Sequence, residues 1–152
     1  MKSVLYVLDY LILRKAVDNY YYRTRLIDTR TFRVKVINAQ EMFKTSGAAE
    51  LDISHFDASN VTDMGLMFNG MTELSSLTLG NNFDARKVTN MTSSLGYLGS
   101  LKTIDLMGVK LRDVIDMSRL FNGSKLEQIT YDKIYKKEKL YDYCCNRAYW
   151  SR

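Results

Sequence analysis

The sequence predicts an α/β protein: a short repeat solenoid with a small parallel sheet and helical N- and C-terminal caps. Three observations predict it. Apolar positions recur at a nearly constant step, each recurrence opens with the apolar–polar alternation of a strand, and both ends depart from the repeat. The 152 residues are expected to form one domain, with an N-terminal cap at 1–35, repeats at 36–131 and a C-terminal helical cap at 132–152.

The N-terminal segment is predicted to be a buried amphipathic helix followed by a strand. The apolar residues of that helix are Val4, Leu5, Leu8, Leu11, Ile12 and Leu13. Asp9 interrupts the stretch, and Arg14 and Lys15 follow without a small-residue cleavage site, so we expect neither a signal peptide nor a membrane span. Residues 31–36 alternate between polar and apolar side chains and predict the first strand of the sheet.

Three units carry the repeat: Leu51–Ser76, Leu77–Thr103 and Ile104–Gln128. Their aligned apolar sets are Leu51/Leu77/Ile104, Ile53/Leu79/Leu106, Val61/Val88/Val114, Met64/Met91/Met117 and Phe68/Leu95/Phe121. A partial unit precedes them at residues 36–43, and the opening strand recurs at Ile129–Tyr131. The step of 25 to 27 residues lies within the range of leucine-rich repeats.

Within a unit, the opening strand is predicted to lead into one or two helical turns. Val61, Met64, Met67 and Phe68 are separated by steps of three and four, the spacing of one helix face. Gly70 then supplies a left-handed residue that ends the turn. Because one unit cannot bury its own apolar face, the units are expected to stack, with parallel strands side by side.

The C-terminal residues 132–150 are predicted to be a helix, since they contain neither proline nor glycine. Five of their side chains are expected to face the last repeat: Ile134, Leu140, Tyr141, Cys144 and Cys145. Adjacent cysteines rarely bridge each other, and two cysteines cannot make a disulfide framework. The simpler expectation is a reducing compartment, and therefore a cytoplasmic protein.

The stretch LDISHFDASNVTDMGLMFNG, from Leu51 to Gly70, resembles the BspA-like leucine-rich repeats of bacterial surface proteins and their mobile-element relatives. The resemblance covers residues 36–131 and decays along the chain, where Leu95 replaces the phenylalanine of the pattern. It implies a curved binding scaffold used in adhesion or recognition. Typical members are long, secreted arrays, whereas this sequence has few units.

The sequence offers little for catalysis, so we expect no enzyme activity, no cofactor and no metal site. His55 is the only histidine, and neither metal-ligand spacings nor glycine-rich phosphate loops are present. Recurrent aspartates follow the repeat and do not form a calcium loop, so turn and cap hydrogen bonds explain them. These aspartates are Asp52, Asp57, Asp63, Asp84, Asp105, Asp113 and Asp116.

Two surfaces are candidates for binding a partner. The outward strand positions predict a sheet face made of Asp52, Ser54, Thr78, Asp105, Met107 and Thr130. A basic cap, for a protein partner or nucleic acid, is formed by Arg23, Arg25, Arg30, Arg33 and Lys35. Its alternative interpretation is a solvated cap face. The net charge of +5 divides into +5 over residues 1–47, −3 over 48–129 and +3 over 130–152.

Three functional hypotheses follow. The first is a non-enzymatic recognition module that binds a protein partner through the sheet face and the basic cap. The second is a phage-type inhibitor, similar to anti-CRISPR proteins, of a nucleic-acid-handling complex. The third is a surface adhesin. None of them requires membrane insertion or a small-molecule substrate.

Overall fold

The described structure consists of short parallel strands joined by turns. The computed structural model describes residues 26–28, 36–80, 83–111, 114–131 and 149–150. Its strands are β1 (Leu26–Asp28), β2 (Glu50–Asp52), β3 (Ser76–Thr78), β4 (Thr103–Asp105), β5 (Gln128–Thr130) and β6 (Tyr149–Trp150). Strands β1, β2 and β3 form one sheet in that order, and β4, β5 and β6 form a second. All four pairings are parallel.

The predicted fold class, an α/β solenoid with helical caps, is wrong. No helix is present in the described residues, which form only small parallel sheets, bridges and turns. The described part of the N-terminal cap is strand β1, and the described part of the C-terminal cap is strand β6. The rest of both caps lies outside the described residues, as do residues 31–35 of the strand predicted at 31–36.

The strands predicted within the repeats are confirmed. Leu51, Leu77, Ile104 and Ile129 occupy the centres of β2, β3, β4 and β5. Leu51 lies opposite Leu77, and Ile104 lies opposite Ile129, so equivalent residues of successive repeats share one level of each sheet. Apolar side chains at these central positions face the core, as the alternation requires.

A second row of backbone contacts links four equivalent stretches, here called turn segments 1 to 4: residues 36–46, 61–71, 88–98 and 114–124. Parallel bridges join them at Asn38, Asp63, Asn90 and Asp116. At each junction, four alternate amides donate to carbonyls of the next segment over 2.7–3.0 Å. The donors are Ala39, Glu41, Phe43 and Thr45, then Met64, Leu66, Phe68 and Gly70, then Met91, Ser93, Leu95 and Tyr97.

Left-handed backbone replaces the helical turns predicted for these segments. Two columns have positive φ, at 53–58° for the first and 55–75° for the second. The first column is Glu41, Leu66, Ser93 and Arg119, and the second is Thr45, Gly70, Tyr97 and Gly123. An α-helix needs φ near about −63° at every residue, so neither column is compatible with one. The left-handed residue predicted at Gly70 is confirmed, and the predicted helical turns are wrong.

The core lies between the strands and the turn segments. Met64, Met67 and Phe68 are fully or almost fully buried there, although they do not lie on a helix. The Phe43 and Phe68 rings stack at 5.7 Å between centroids. Burial of each such side chain contributes about 1.5–3 kcal/mol.

One buried position does not fit this core. Ser94 takes the place of Met42, Met67 and Leu120 in the equivalent segments, and its Oγ has no hydrogen-bond partner. A buried unsatisfied hydroxyl costs about 1–3 kcal/mol.

Aspartate side chains close the turns, as the sequence predicts, and Asn38 and Asn90 make the same contact. Oδ1 of Asp63 accepts a hydrogen bond from the Gly65 amide at 2.8 Å, and the same contact to the amide two residues later recurs throughout the repeats. The other acceptors are Asn38, Asp52, Asp57, Asp84, Asn90, Asp105 and Asp116. Along the four bridge positions, asparagine side chains alternate with aspartate side chains. Asn90 Nδ2 donates to Asp63 Oδ1 at 3.1 Å.

Two of these carboxylates have lowered pKa values. Arg86 donates from Nε to Asp84 Oδ1 at 2.9 Å and from Nη2 to Asp84 Oδ2 at 2.6 Å. These side-chain hydrogen bonds hold the pKa of Asp84 at about 2. The backbone amide of Ser118 lowers the pKa of Asp116.

Gly80→Ala is expected to destabilise the protein. Gly80 has φ +80°, and an added Cβ would lie 2.9 Å from both Cα and Cβ of Ser54. The left-handed backbone and this contact together predict a loss of about 2 kcal/mol in urea unfolding. Gly47→Ala is the matched control, because Gly47 has no left-handed φ and no atom within 4 Å of an added Cβ. Equal losses for the two variants would contradict the described packing of Gly80 on Ser54.

Acid is expected to weaken the protein partly through Asp84. The pKa of Asp84 is lowered by folding from 3.8 to about 2, so its contribution is present above 3.8 and is lost as the pH falls towards 2. Urea midpoints measured across that window should fall less for Asp84→Asn and Arg86→Ala than for the unsubstituted protein. Lys87→Ala, one residue further on, should behave like the unsubstituted protein. Parallel acid profiles for all four proteins would contradict the role of the Asp84–Arg86 pair.

Candidate functional site

The surface at the carboxyl ends of the strands contains the side chains predicted for the sheet face. We call it the strand-end surface, and its residues are Asp52, Ser54, Thr78, Asp105, Met107 and Thr130. Thr78, Asp105 and Met107 are exposed, and the other three are half-buried. The candidate site is therefore an open surface, formed by the last residue of each strand and the turn that follows it.

Strand register brings these residues together in two groups. Asp52 lies opposite Thr78 across β2 and β3, and Asp105 lies opposite Thr130 across β4 and β5. The groups belong to different sheets, because β3 and β4 do not pair. The sequence predicts one continuous face, whereas the structure divides it between the two sheets.

Both aspartates of the strand-end surface are held by the backbone. Asp52 Oδ1 accepts from the Ser54 amide, and Asp105 Oδ1 accepts from the Met107 amide, each at 2.9 Å. The hydrogen bond between Asp105 and Met107 fixes the backbone at Met107, whose side chain belongs to a residue that is 45% exposed. A flexible, polarizable methionine beside a fixed carboxylate can pack against partners of varied shape.

Sequence reasoning missed a second exposed column on the other row of the structure. This β-branched column precedes the bridge position of each turn segment and consists of Ile37, Thr62, Thr89 and Ile115. Ile115 is 77% exposed. Thr89 Oγ1 donates to the Thr62 carbonyl at 3.2 Å, which ties neighbouring members together. The available signal was a β-branched residue immediately before the aligned Asn or Asp of each unit.

Tyr97 is a third exposed feature that the sequence did not indicate. It occupies a left-handed position at φ 55°, where Gly70 and Gly123 stand in the neighbouring segments, and it is 52% exposed. Its ring lies against one side of Gly123, since a Cβ added there would lie 2.5 Å from Tyr97 Cδ1. Asn122 Nδ2 also donates to Tyr97 Oη at 3.2 Å. A non-glycine residue with left-handed backbone costs about 1–2 kcal/mol of folding free energy. The contacts of the Tyr97 ring with Gly123 and Asn122 therefore hold the ring in place despite backbone strain at Tyr97.

Several predicted site residues cannot be placed. The whole basic cap, Arg23, Arg25, Arg30, Arg33 and Lys35, lies outside the described residues, as do Asp113, Cys144 and Cys145. His55 lies exposed in the turn after β2. Among the described residues, no three His, Cys, Asp or Glu side chains come together as a metal-holding group. The same residues include no helix long and apolar enough to cross a membrane.

Comparison with known proteins gives a family and no function. Residues 21–134 match the family described as "Mycoplasma protein of unknown function, DUF285". No curated protein and no solved structure matches the chain. The family match includes all four turn segments and strands β1 to β5, which is most of the 152 residues. The chain therefore belongs to the DUF285 family of Mycoplasma proteins of unknown function.

Proposed function

We propose that this protein is a non-enzymatic recognition module that binds a protein partner through the strand-end surface. One observation carries the proposal. Met107 is exposed beside Asp105, whose carboxylate is fixed to the Met107 amide, and the backbone on either side belongs to a hydrogen-bonded parallel array. Preorganised side chains on a fixed backbone lose little entropy on binding.

The array supports the proposal because it fixes the distances between exposed side chains. Leu106, between Asp105 and Met107, is buried and donates its amide to the Thr130 carbonyl at 2.8 Å. On the neighbouring sheet, the buried Ile53 donates in the same way to the Thr78 carbonyl at 2.9 Å. The two halves of the strand-end surface are therefore built alike, with a buried residue anchoring the exposed residues on each side of it.

Charge favours a basic partner. Residues 48–129 carry a net charge of −3, and the strand-end surface itself holds Asp52 and Asp105 and no cation. Complementary charge speeds encounter and selects among partners, whereas an apolar contact such as Met107 contributes more to the lifetime of a complex. We therefore expect a basic protein surface with an apolar centre.

Two further considerations favour recognition over the nucleic-acid inhibitor hypothesis. The resemblance of Leu51–Gly70 to BspA-like repeats supports the same role, since members of that family generally act in adhesion or recognition. The nucleic-acid inhibitor hypothesis depends on the basic cap, which lies outside the described residues, so no described contact favours it. That hypothesis predicts that the captured partner is lost on nuclease treatment.

Met107→Lys is expected to weaken partner binding without unfolding the protein, because it removes the apolar contact and repels a basic partner. Affinity capture from a lysate of the native host, with and without nuclease and quantified by mass spectrometry, should show a captured protein reduced about tenfold by Met107→Lys. Thr78→Arg, on the other sheet, should reduce the same protein. The matched control is Ile115→Lys on the β-branched column. Ile115 is more exposed than Met107, and this variant should leave capture unchanged.

Three results would contradict this proposal. Loss of the captured protein with Ile115→Lys and not with Met107→Lys would place the contact on the β-branched column. Loss on nuclease treatment would favour a nucleoprotein partner. Capture of no protein above the background of bare beads would leave the recognition role without support.

A further inference from the structure

The chain contains two Asn-Gly pairs at equivalent positions of different turn segments, Asn69-Gly70 and Asn122-Gly123. We propose that Asn122 is a site of spontaneous deamidation and that Asn69 is protected from the same reaction by the fold. The inference concerns a covalent modification and is independent of the proposed function. It depends on the different surroundings of two identical dipeptides.

The reaction needs only the chain and water. The backbone nitrogen of Gly123 attacks Cγ of Asn122 and forms a new C–N bond. The side-chain nitrogen leaves as ammonia and takes the proton of the glycine amide, which closes a five-membered cyclic imide. Water then opens the imide at either carbonyl and produces aspartate or isoaspartate. Glycine favours the attack because no side chain hinders its nitrogen.

Local turn geometry is shared by the two pairs. The glycines are both left-handed, with φ 75° at Gly70 and 70° at Gly123. The Asn69 amide donates to the Leu66 carbonyl at 3.1 Å, and the Asn122 amide donates to the Arg119 carbonyl at 2.9 Å. A difference in reactivity must therefore come from contacts beyond the turn.

The Asn69 pair is held by the next segment at both reacting groups. The Gly70 amide, the nucleophile, donates to the Gly96 carbonyl at 3.0 Å. Asn69 Nδ2, the leaving group, donates to the Ser93 carbonyl at 3.1 Å. Both residues are half-buried. Attack at this pair requires the hydrogen bonds between turn segments 2 and 3 to open by local unfolding.

The nucleophile of the Asn122 pair is exposed. Gly123 is exposed to solvent, and no carbonyl of the described residues accepts a hydrogen bond from its amide. Asn122 Nδ2 donates to Tyr97 Oη at 3.2 Å, and Oη belongs to a ring that is itself half exposed. Before it attacks, the Gly123 amide therefore does not have to leave a carbonyl of the described residues, whereas the Gly70 amide has to leave that of Gly96.

Other described asparagines are less suited to this reaction. Asn38, Asn60 and Asn90 precede alanine, valine and methionine, whose side chains hinder the attacking nitrogen. The amide following Asn90 also donates to the Asp116 carbonyl at 2.7 Å. Asn122 is therefore the preferred site in the part of the chain that the structure describes.

Modification at Asn122 has a structural consequence. Its carbonyl accepts the Tyr97 amide at 2.7 Å, the last of the four bonds between segments 3 and 4. Isoaspartate inserts the side-chain carbon into the backbone and displaces that carbonyl, and either product replaces the Nδ2 donor to Tyr97 Oη with a carboxylate. Formation of isoaspartate is therefore expected to break the backbone hydrogen bond from Tyr97 to residue 122.

The test is peptide mapping of the full-length protein after incubation in mildly alkaline buffer, in native conditions and in concentrated urea. Isotopically heavy water marks the new carboxylate, and electron-transfer fragmentation separates isoaspartate from aspartate. In native conditions Asn122 should convert about tenfold faster than Asn69, as protection of the Gly70 amide predicts. In urea the two pairs should convert at similar rates, because the fold no longer distinguishes them.

Asn122→Gln is the matched variant, and it should abolish the product in the 122 peptide while leaving conversion at Asn69 unchanged. Equal native rates at the two pairs, or faster conversion at Asn69, would overturn the proposal. Conversion of Asn122 in urea without conversion in the native protein would overturn it as well, since it would show that the fold protects both pairs.

Discussion

Hydrogen bonds between turn segments are the interaction on which the rest of the structure depends. Alternate amides of one segment donate to carbonyls 24 to 26 positions later in the chain, such as Leu66 to Thr92 at 2.9 Å. Left-handed residues make this pattern possible, because they change the direction of the chain at two positions in each segment. The row of these bonds extends from Ala39 to Asn122 and crosses the break between the two sheets, where strands β3 and β4 do not pair.

This arrangement determines which side chains remain for the surface. Buried residues such as Met64 and Phe68 occupy one side of each segment. The Asp or Asn side chain at the bridge position accepts a hydrogen bond within its own turn. The side chains that remain form columns in fixed register: the β-branched column on one row and the strand-end surface on the other. The recognition role that we propose depends on the strand-end surface, since the backbone sets the spacing of its side chains before a partner arrives.

The repeat and its strands could be predicted from the sequence, and the turn segments could not. Leu51 and Ile53 alternate with polar residues, and only a strand has that period. The spacing of Val61, Met64, Met67 and Phe68 fits a helix face as well as it fits a segment with left-handed turns. The residue types at Leu66 and Ser93 do not indicate a positive φ. The residues of the strand-end surface were assigned to one continuous face, because their spacing does not show that β3 and β4 are unpaired. Tyr97 was missed because an aromatic side chain is uncommon at a left-handed position.

Scalar couplings across hydrogen bonds, measured by NMR on isotopically labelled protein, test this account most directly. The account predicts a coupling between the Leu66 amide nitrogen and the Thr92 carbonyl carbon, with matching pairs at Phe68 and Ser94 and at Gly70 and Gly96. A coupling from Leu66 to the Thr62 carbonyl, four residues earlier, would show an α-helical turn in its place. That result would contradict the stacked segments and every surface derived from them.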